Sequence, residues 1–183
     1  MTSVMRLKCT VGYFVGSLSV NSINRLLSKA LIKLAPSNLE FVEIRIDDLP
    51  LYNRDLDSEF PLPATALKDA IAAVDAVLFV TPEYNRDIPG GLKNAIDWAS
   101  RPWGNNSFAH KPSAVIGTSP GKIGTAVAQQ NLRSILSFLD SPQMNAPGRT
   151  SSSLQALLEM MAKSTTRPLN SSCGILWTLS RFS

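Results

Sequence analysis

The sequence predicts an α/β fold, a doubly wound parallel sheet with helices on both faces. Short, almost wholly apolar segments alternate with longer segments whose apolar residues recur at helical spacing. The apolar segments are too uniform for a sheet with one solvent-exposed face, so the strands are expected to be covered on both sides. The length of 183 residues suits one such domain.

The predicted strands and helices alternate along the chain. Strands are predicted at residues 7–15, 41–46, 76–80 and 114–118, and helices at residues 23–34, 64–73, 91–100 and 125–139. In the first helix, Leu27, Leu31 and Leu34 recur on one face before Pro36 ends the segment. Because ligands bind beyond the carboxyl ends of parallel strands, the loops after strands one, three and four form the candidate site.

Composition excludes several classes of protein. With 44% apolar residues the chain is not disordered, and no apolar run approaches the ~20 residues of a membrane span. Cys9 and Cys173 are too few for a disulfide framework or a zinc site, and no metal site is predicted. The first residues lack an export signal, so we expect a cytoplasmic protein.

The tail, residues 148–183, differs from the body, residues 1–147. It holds four basic residues against Glu159, which accounts for +3 of the net charge of +4. It is rich in serine and threonine and has no clear strand, although residues 154–161 are long enough for two helical turns. Because the basic excess is confined to the tail, we expect no nucleic-acid binding.

Small hydroxyl and amide side chains crowd the loop after the first strand. Ser17, Ser19, Asn21, Ser22 and Asn24 all lie at the start of a predicted helix. Unpaired amides and the dipole at a helix N-terminus favour an anion, and serine hydroxyls can donate to a phosphate. Helix capping needs only one such residue, so phosphate binding explains the loop better than capping alone.

The spacing of glycines narrows the choice of ligand. The first loop has Gly16 but lacks the G-x-G-x-x-G of dinucleotide folds, and residues 117–122 lack the spacing of a P-loop. One phosphate held by hydroxyls suits a mononucleotide such as FMN. The loop of residues 81–91 can support a planar ring, with Tyr84 covering an apolar face. The glycines of residues 117–124 allow backbone to approach such a ring.

The loop after the fourth strand also matches the G-x-S-x-G pattern of serine hydrolases. Pro120 follows Ser119 and has no amide for an oxyanion hole, and His110 precedes the serine, whereas that fold places the histidine after it. We therefore reject a hydrolase.

Four isolated residues are expected to have structural roles. His110 is expected on the surface and Cys9 in the core, and Trp98 and Trp103 are expected in the core or in a subunit contact.

Four segments together carry a resemblance to a known family. They are G-S-L at 16–18 with Ser22 and Asn24, L-P-L-Y-N at 49–53, P-E-Y-N at 82–85 followed by P-G and L-K-N-A-I-D-W up to residue 98, and G-T-S at 117–119. In this combination the chain resembles the NAD(P)H-dependent FMN reductases, a flavodoxin-like family that includes quinone and chromate reductases. The resemblance covers residues 6–147.

The resemblance implies a site for FMN. The phosphate would be held by Ser17, Ser19, Ser22, Ile23 and Asn24. The isoalloxazine ring would be lined by Pro82, Glu83, Tyr84 and Asn85, with Ser119 completing the pocket. The resemblance also implies NADPH or NADH as co-substrate and a homodimer or homotetramer, in which residues 49–53 lie near a partner's flavin site.

The predicted function is an FMN-dependent NAD(P)H oxidoreductase that passes hydride from a nicotinamide through FMN to a quinone or similar small acceptor. No catalytic acid or base is expected, because the cofactor carries the chemistry. A flavodoxin-like electron carrier is an alternative, but such carriers are strongly acidic and this body is nearly neutral. A non-catalytic FMN-binding protein is a further alternative.

Two features depart from the family pattern. Ser19 stands where the family often has arginine, which removes a charge-assisted phosphate contact worth about 1.5–3 kcal/mol. After Pro147 the chain lacks the acidic residue, strand and terminal helix that continue the family pattern. A reading-frame change in the source sequence is one hypothesis for the tail, and nucleotide sequencing around codons 147–150 tests it.

Overall fold

The computed structural model describes residues 9–144 and 150–151. Within them, the strands are β1 (Cys9–Val15), β2 (Leu39–Glu43), β3 (Ala76–Val80), β4 (Ser113–Thr118) and β5 (Thr150–Ser151). The helices are α1 (Ile23–Leu34), α2 (Leu62–Ala72), α3 (Gly90–Ala99) and α4 (Ala126–Phe138), and a 3-10 turn spans Arg54–Asp57.

The strands form one parallel sheet in the order β2-β1-β3-β4-β5, which confirms the predicted doubly wound fold. The chain runs outward from β1 to β2 and then returns to the other side of β1 for β3. The direction of winding therefore reverses between β1 and β3. In such sheets the crevice for a ligand opens at this point, beyond the carboxyl ends of the strands.

Apolar side chains bury both faces of the sheet. One face packs against α1, where Leu27 and Leu31 join Val11 and Leu78. The other face packs against α2, α3 and α4, whose apolar side chains meet a layer centred on Phe14 and Phe79. All five residues of β3 are buried, as expected for a central strand covered on both sides.

The predicted boundaries agree with the structure to within two residues for most elements, and those of α1 and β3 coincide with it. The second strand is the exception, because it begins at Leu39 and ends at Glu43. The amide of Ile44 still donates to Tyr13 over 2.9 Å, but the chain then leaves the ladder. The apolar alternation predicts that Ile44 and Ile46 are buried, and they are. They lie in the core on the α2 side, beyond the end of the strand.

The tail contributes a short strand that the sequence does not predict. Thr150 and Ser151 pair with Gly117 and Thr118 at the edge of the sheet. Two residues cannot display the alternation by which a strand is recognised. Residues 154–161 and Cys173 lie outside the described residues.

The structural expectations for isolated residues are met in most cases. Cys9 and Trp98 are buried, and His110 lies on the surface beside Asp140, at 3.2 Å. Trp103 is exposed, so it does not belong to the core. None of the helices in the described part of the chain is long and apolar enough to cross a membrane.

Candidate functional site

Three loops start side by side at the carboxyl edge of the sheet. They are the β1–α1 loop (residues 16–22), the β3–α3 loop (81–89) and the β4–α4 loop (119–125). The amide of Gly16 donates to Val80 over 2.9 Å, and the amide of Thr81 donates to Ile116 over 3.0 Å. These bonds extend the sheet register beyond the strand ends and place the loops that the sequence singles out around one crevice.

The β1–α1 loop collects hydrogen-bond donors at the start of α1. Ser22 is the N-cap, and its Oγ accepts from the amide of Arg25 over 3.4 Å. The amides of Ile23 and Asn24 have no acceptor in the part of the chain that the structure describes. Ser17 is 4% exposed, and its Oγ accepts from the amide of Ser19 over 3.3 Å, whereas Ser19 itself is exposed. Hydroxyls and free amides at the positive end of a helix dipole suit an anion.

Tyr84 joins the β3–α3 loop to the β1–α1 loop. Its hydroxyl lies 3.4 Å from the Oγ of Ser17, and half of the residue is exposed. Tyr84 and Asp87 exchange backbone hydrogen bonds of 2.9 and 3.0 Å across a turn whose central residues, Asn85 and Arg86, have φ of +52° and +68°. Positive φ at both positions defines a type I′ turn, which fixes the backbone that carries Tyr84.

The carboxylate of Glu83 caps α4. Its Oε2 accepts from the amides of Val127 and Ala128, each over 3.0 Å, and its Oε1 lies 3.3 Å from Nη1 of Arg86. A carboxylate at a helix N-terminus is stabilised by the dipole and by the free amides there. The side chain of Glu83 is therefore used within the protein, and its backbone is what remains for a ligand.

The side chain of Asn24 ties α1 to β4. Its Nδ2 donates to the carbonyl of Thr118 over 2.9 Å, and its Oδ1 accepts from the amide of Thr118 over 3.0 Å. Both polar groups of the Asn24 side chain are thereby used within the protein, so its backbone amide is the group left for the phosphate role that the sequence suggests. Thr118 is not among the residues that the sequence predicts for the site, because a contact across 94 positions leaves no local signal.

Glycine lets the ends of β3 and β4 approach each other. A Cβ on Gly117 would lie 2.0 Å from the carbonyl oxygen of Thr81 and 2.6 Å from Oγ1 of Thr125. The sequence predicts that glycine here lets a flat ligand approach the backbone. At Gly117 the space is instead filled by the protein's own Thr81 and Thr125. Ser119 follows, half-buried, and its Oγ accepts from the amide of Gly121 over 3.3 Å.

The segment of residues 49–53 is anchored to α3. Asn94 accepts from the amide of Tyr52 over 2.8 Å and donates to the carbonyl of Pro50 over 2.9 Å. The indole of Trp98 donates to the same carbonyl over 2.7 Å. Leu51 stays exposed between these anchors.

The donor set fits the phosphate of FMN. Residues 16–24 contain no lysine or arginine, and Arg25 is bonded to Glu43 over 2.7 Å. The phosphate charge would therefore be met by serine hydroxyls, the amides of Ile23 and Asn24 and the α1 dipole, which is a sufficient anion site at many helix N-termini. Tyr84 supplies aromatic surface next to Ser17, where the rest of a mononucleotide would begin.

Comparison of the sequence with known proteins places it among flavin-dependent reductases. Residues 9–161 match the family model described as NADPH-dependent FMN reductase. The chain is 54% identical over 143 residues to a 2-hydroxy-1,4-benzoquinone reductase of a Burkholderia species, covering 78% of this chain and 77% of the relative. It is 51% identical over 140 residues to a quinone reductase of Pseudomonas putida, covering 75% of each chain.

Solved structures agree with the sequence relatives. The flavoenzyme NAD(P)H:(acceptor) oxidoreductase FerB of Paracoccus denitrificans aligns with a TM-score of 0.77 and 49% identity, covering 81% of this chain and 82% of that one. A flavodoxin variant of Pseudomonas aeruginosa aligns with a TM-score of 0.54 and 18% identity, covering 85% and 96% of the two chains. The second likeness concerns the fold alone.

Proposed function

This chain belongs to the NADPH-dependent FMN reductase family, and we propose that it reduces a quinone with hydride taken from NADPH or NADH. It is an FMN-dependent NAD(P)H oxidoreductase by family. The quinone is the finer part of the proposal, and two relatives above half identity whose names specify quinone substrates support it. Free flavin, azo compounds and chromate are the other acceptors to be compared.

The contact between Tyr84 and Ser17 is the observation that supports this function most. It brings the loop suited to a phosphate within 3.4 Å of the loop suited to a planar ring. A mononucleotide needs these two environments next to each other, whereas helix capping alone needs neither the buried Ser17 hydroxyl nor the exposed tyrosine ring.

We assign the residues of the site to the two parts of FMN. Ser17, Ser19, Ser22 and the amides of Ile23 and Asn24 hold the phosphate. Pro82, Glu83, Tyr84, Asn85 and Ser119 border the ring, Glu83 through its backbone. Bound FMN supplies the redox chemistry, accepting hydride from the nicotinamide and delivering it to the acceptor, so the protein needs no acid or base of its own.

We also propose a cytoplasmic homodimer or homotetramer. Between α3 and α4 lies a cleft of about 670 Å³ whose lining includes the exposed side chains of Trp103 and Phe138. Large apolar side chains exposed together are typical of subunit contacts. Light scattering is expected to give a multiple of the 19.8 kDa chain and a smaller particle for Phe138→Glu; a monomeric wild type would contradict the assembly.

The function is tested by mixing the purified protein with FMN and NADPH without oxygen. Reductase activity predicts bound flavin whose absorbance bleaches rapidly and returns when a benzoquinone is added. Bound flavin that NADPH does not reduce would instead identify an electron carrier or a non-catalytic binding protein. Failure to bind FMN would reject all three.

The site assignment is tested separately with serine variants. Ser17→Ala is expected to weaken FMN binding about fivefold, because it removes one neutral hydrogen-bond donor. Ser58→Ala, at an exposed serine far along the chain, is the matched control and is expected to bind as the wild type does. Equal affinities for all three proteins would remove Ser17 from the site.

A further inference from the structure

A second cleft lies beside the β1–α1 loop, at the end of β2, and encloses about 380 Å³. Leu18 separates it from the proposed flavin site. Leu18 lines the cleft on one side, and on the other a Cβ placed on Gly91, at the start of α3, would lie 3.4 Å from its Cδ1. A ligand that occupies both places would pass over Leu18.

Two ion pairs form the polar wall of this cleft. Nη1 of Arg25 contacts both carboxylate oxygens of Glu43, at 2.7 and 2.9 Å, and Glu43 also accepts from the hydroxyl of Tyr13. Nε of Arg45 donates to Asp47 over 2.9 Å, and the side chain of Arg45 is 74% exposed. The hydrogen bonds from Arg45 lower the pKa of Asp47, so this carboxylate is ionised at neutral pH.

The arginines retain donors after these pairs are formed. In the part of the chain that the structure describes, Nη1 of Arg45 and both Nε and Nη2 of Arg25 have no acceptor. Each carboxylate, by contrast, is already engaged by its arginine. The cleft therefore offers N–H donors above an apolar floor of Val15, Ile44 and Ile46, a combination that suits an anionic group attached to a sugar and a base.

The position of the cleft points to a coenzyme. In doubly wound sheets that bind dinucleotides, the end of the second strand meets the adenosine ribose, where a carboxylate accepts from the 2′-hydroxyl of NAD and an arginine accommodates the 2′-phosphate of NADP. Residues 43–47 occupy this place, and their free donors favour the phosphate. The start of α1, where such folds hold the pyrophosphate, is assigned here to the phosphate of FMN, so the coenzyme would reach the flavin across Leu18.

We propose that this cleft receives the adenosine 2′-phosphate of NADPH and that Arg45 makes the chain prefer NADPH to NADH. The proposal rests on the proposed function, because the nicotinamide must reach the neighbouring flavin. Asp47 orients the guanidinium of Arg45, but its negative charge repels the phosphate. Asparagine at this position keeps an oxygen acceptor for the guanidinium and removes the charge, so Arg45→Ala and Asp47→Asn should change phosphate binding in opposite directions.

The test uses adenosine 2′,5′-bisphosphate and adenosine 5′-monophosphate as probes in calorimetric titrations of the FMN-loaded protein. The wild type is expected to bind the bisphosphate at least about tenfold more tightly than the monophosphate. Arg45→Ala is expected to abolish this difference, and Asp47→Asn to enlarge it several-fold. Arg54→Ala, which removes an exposed arginine outside the cleft, is the matched control.

Steady-state kinetics add a second readout. Arg45→Ala is expected to raise KM for NADPH about tenfold, with kcat, KM for NADH and FMN affinity unchanged. The inference would be overturned if Arg45→Ala and Arg54→Ala raised KM for NADPH equally, or if the wild type bound the two probes equally. Either result would leave the proposed reductase function standing. A protein that binds no FMN and does not distinguish the two probes would overturn both.

Discussion

Asn24 and Thr118 are joined by two hydrogen bonds between one buried side-chain amide and both backbone groups of a single residue, at 2.9 and 3.0 Å. The pair connects the first turn of α1 to the last residue of β4. The helix start that supplies the free amides is thereby fixed relative to the strand that carries the β4–α4 loop. This side chain therefore adds to the sheet register in fixing the relative position of two of the three loops around the crevice.

Asn24→Ala is expected to destabilise the protein by about 2–3 kcal/mol, since two hydrogen bonds in a buried place are lost. FMN affinity should fall as well, because the start of α1 is no longer held. Urea unfolding and FMN titration measure the two effects. Asn21→Ala, at an exposed asparagine in the same loop, is the control and should change stability by less than about 0.5 kcal/mol. Similar losses of stability in the two variants would contradict a stabilising role for the hydrogen bonds between Asn24 and Thr118.

Two variants of Glu83 distinguish the contribution of its charge to stability from that of its hydrogen bonds. Glu83→Gln keeps an oxygen acceptor for the amides of Val127 and Ala128 but removes the charge from the α4 N-terminus, and should cost about 1 kcal/mol. Glu83→Ala removes the acceptor as well and should cost about 2–3 kcal/mol. Urea unfolding measures both, with Glu59→Gln at an exposed site as control. If the glutamine and alanine variants are equally stable, the carboxylate does not cap α4.

Arg86 occupies a backbone conformation that favours glycine. Its φ is +68°, and the second central position of a type I′ turn is commonly glycine. Arg86→Gly should be more stable than Arg86→Ala by about 1 kcal/mol, because only alanine keeps a Cβ in the left-handed region. Both variants lose the contact with Glu83, so their difference in urea unfolding isolates the backbone effect. An equal or reversed order would show that the turn relaxes when Arg86 is replaced.

The fold, and the three loops that meet at the carboxyl edge of its sheet, could be predicted from the sequence because both depend on local patterns. Helical periodicity marks α1, a short continuous apolar run marks β3, and the crowding of small polar residues marks the β1–α1 loop. The backbone groups that the side chains of Glu83 and Asn24 bind could not be predicted in this way, since they lie more than 40 positions away. A carboxylate or amide has the same chemistry whether it serves a ligand or a backbone, so sequence alone cannot separate these two uses.

Cys9 provides a prediction about pH. Burial, with a smaller contribution from Asp75, raises the pKa of its thiol from 9.0 to about 11. At pH 8 only about a thousandth of this thiol is ionised, so in Cys173→Ser protein Cys9 should react with Ellman's reagent only after unfolding. Because the folded pKa is the higher one, its contribution to stability is complete below about pH 9 and is lost as the pH rises toward 11. Rapid labelling of the folded variant would contradict this account.

Ser19 offers a gain-of-function test of the phosphate site. Every donor that the β1–α1 loop presents is neutral, and Ser19 is exposed at the start of this predicted phosphate site. Ser19→Arg should therefore add a charge-assisted hydrogen bond of about 1.5–3 kcal/mol and tighten FMN binding about ten- to hundredfold. Fluorescence titration with FMN measures the change.

Two controls separate that contact from a general effect of charge. Val20→Arg adds the same charge at the next position, where the native side chain is 92% exposed, and should strengthen FMN binding only slightly and only at low salt. Riboflavin lacks the phosphate, so Ser19→Arg should leave its affinity unchanged. If riboflavin gains as much as FMN, or if the two arginines act equally, the phosphate does not lie at the start of α1 and the assignment of Ser17, Ser19 and Ser22 fails with it.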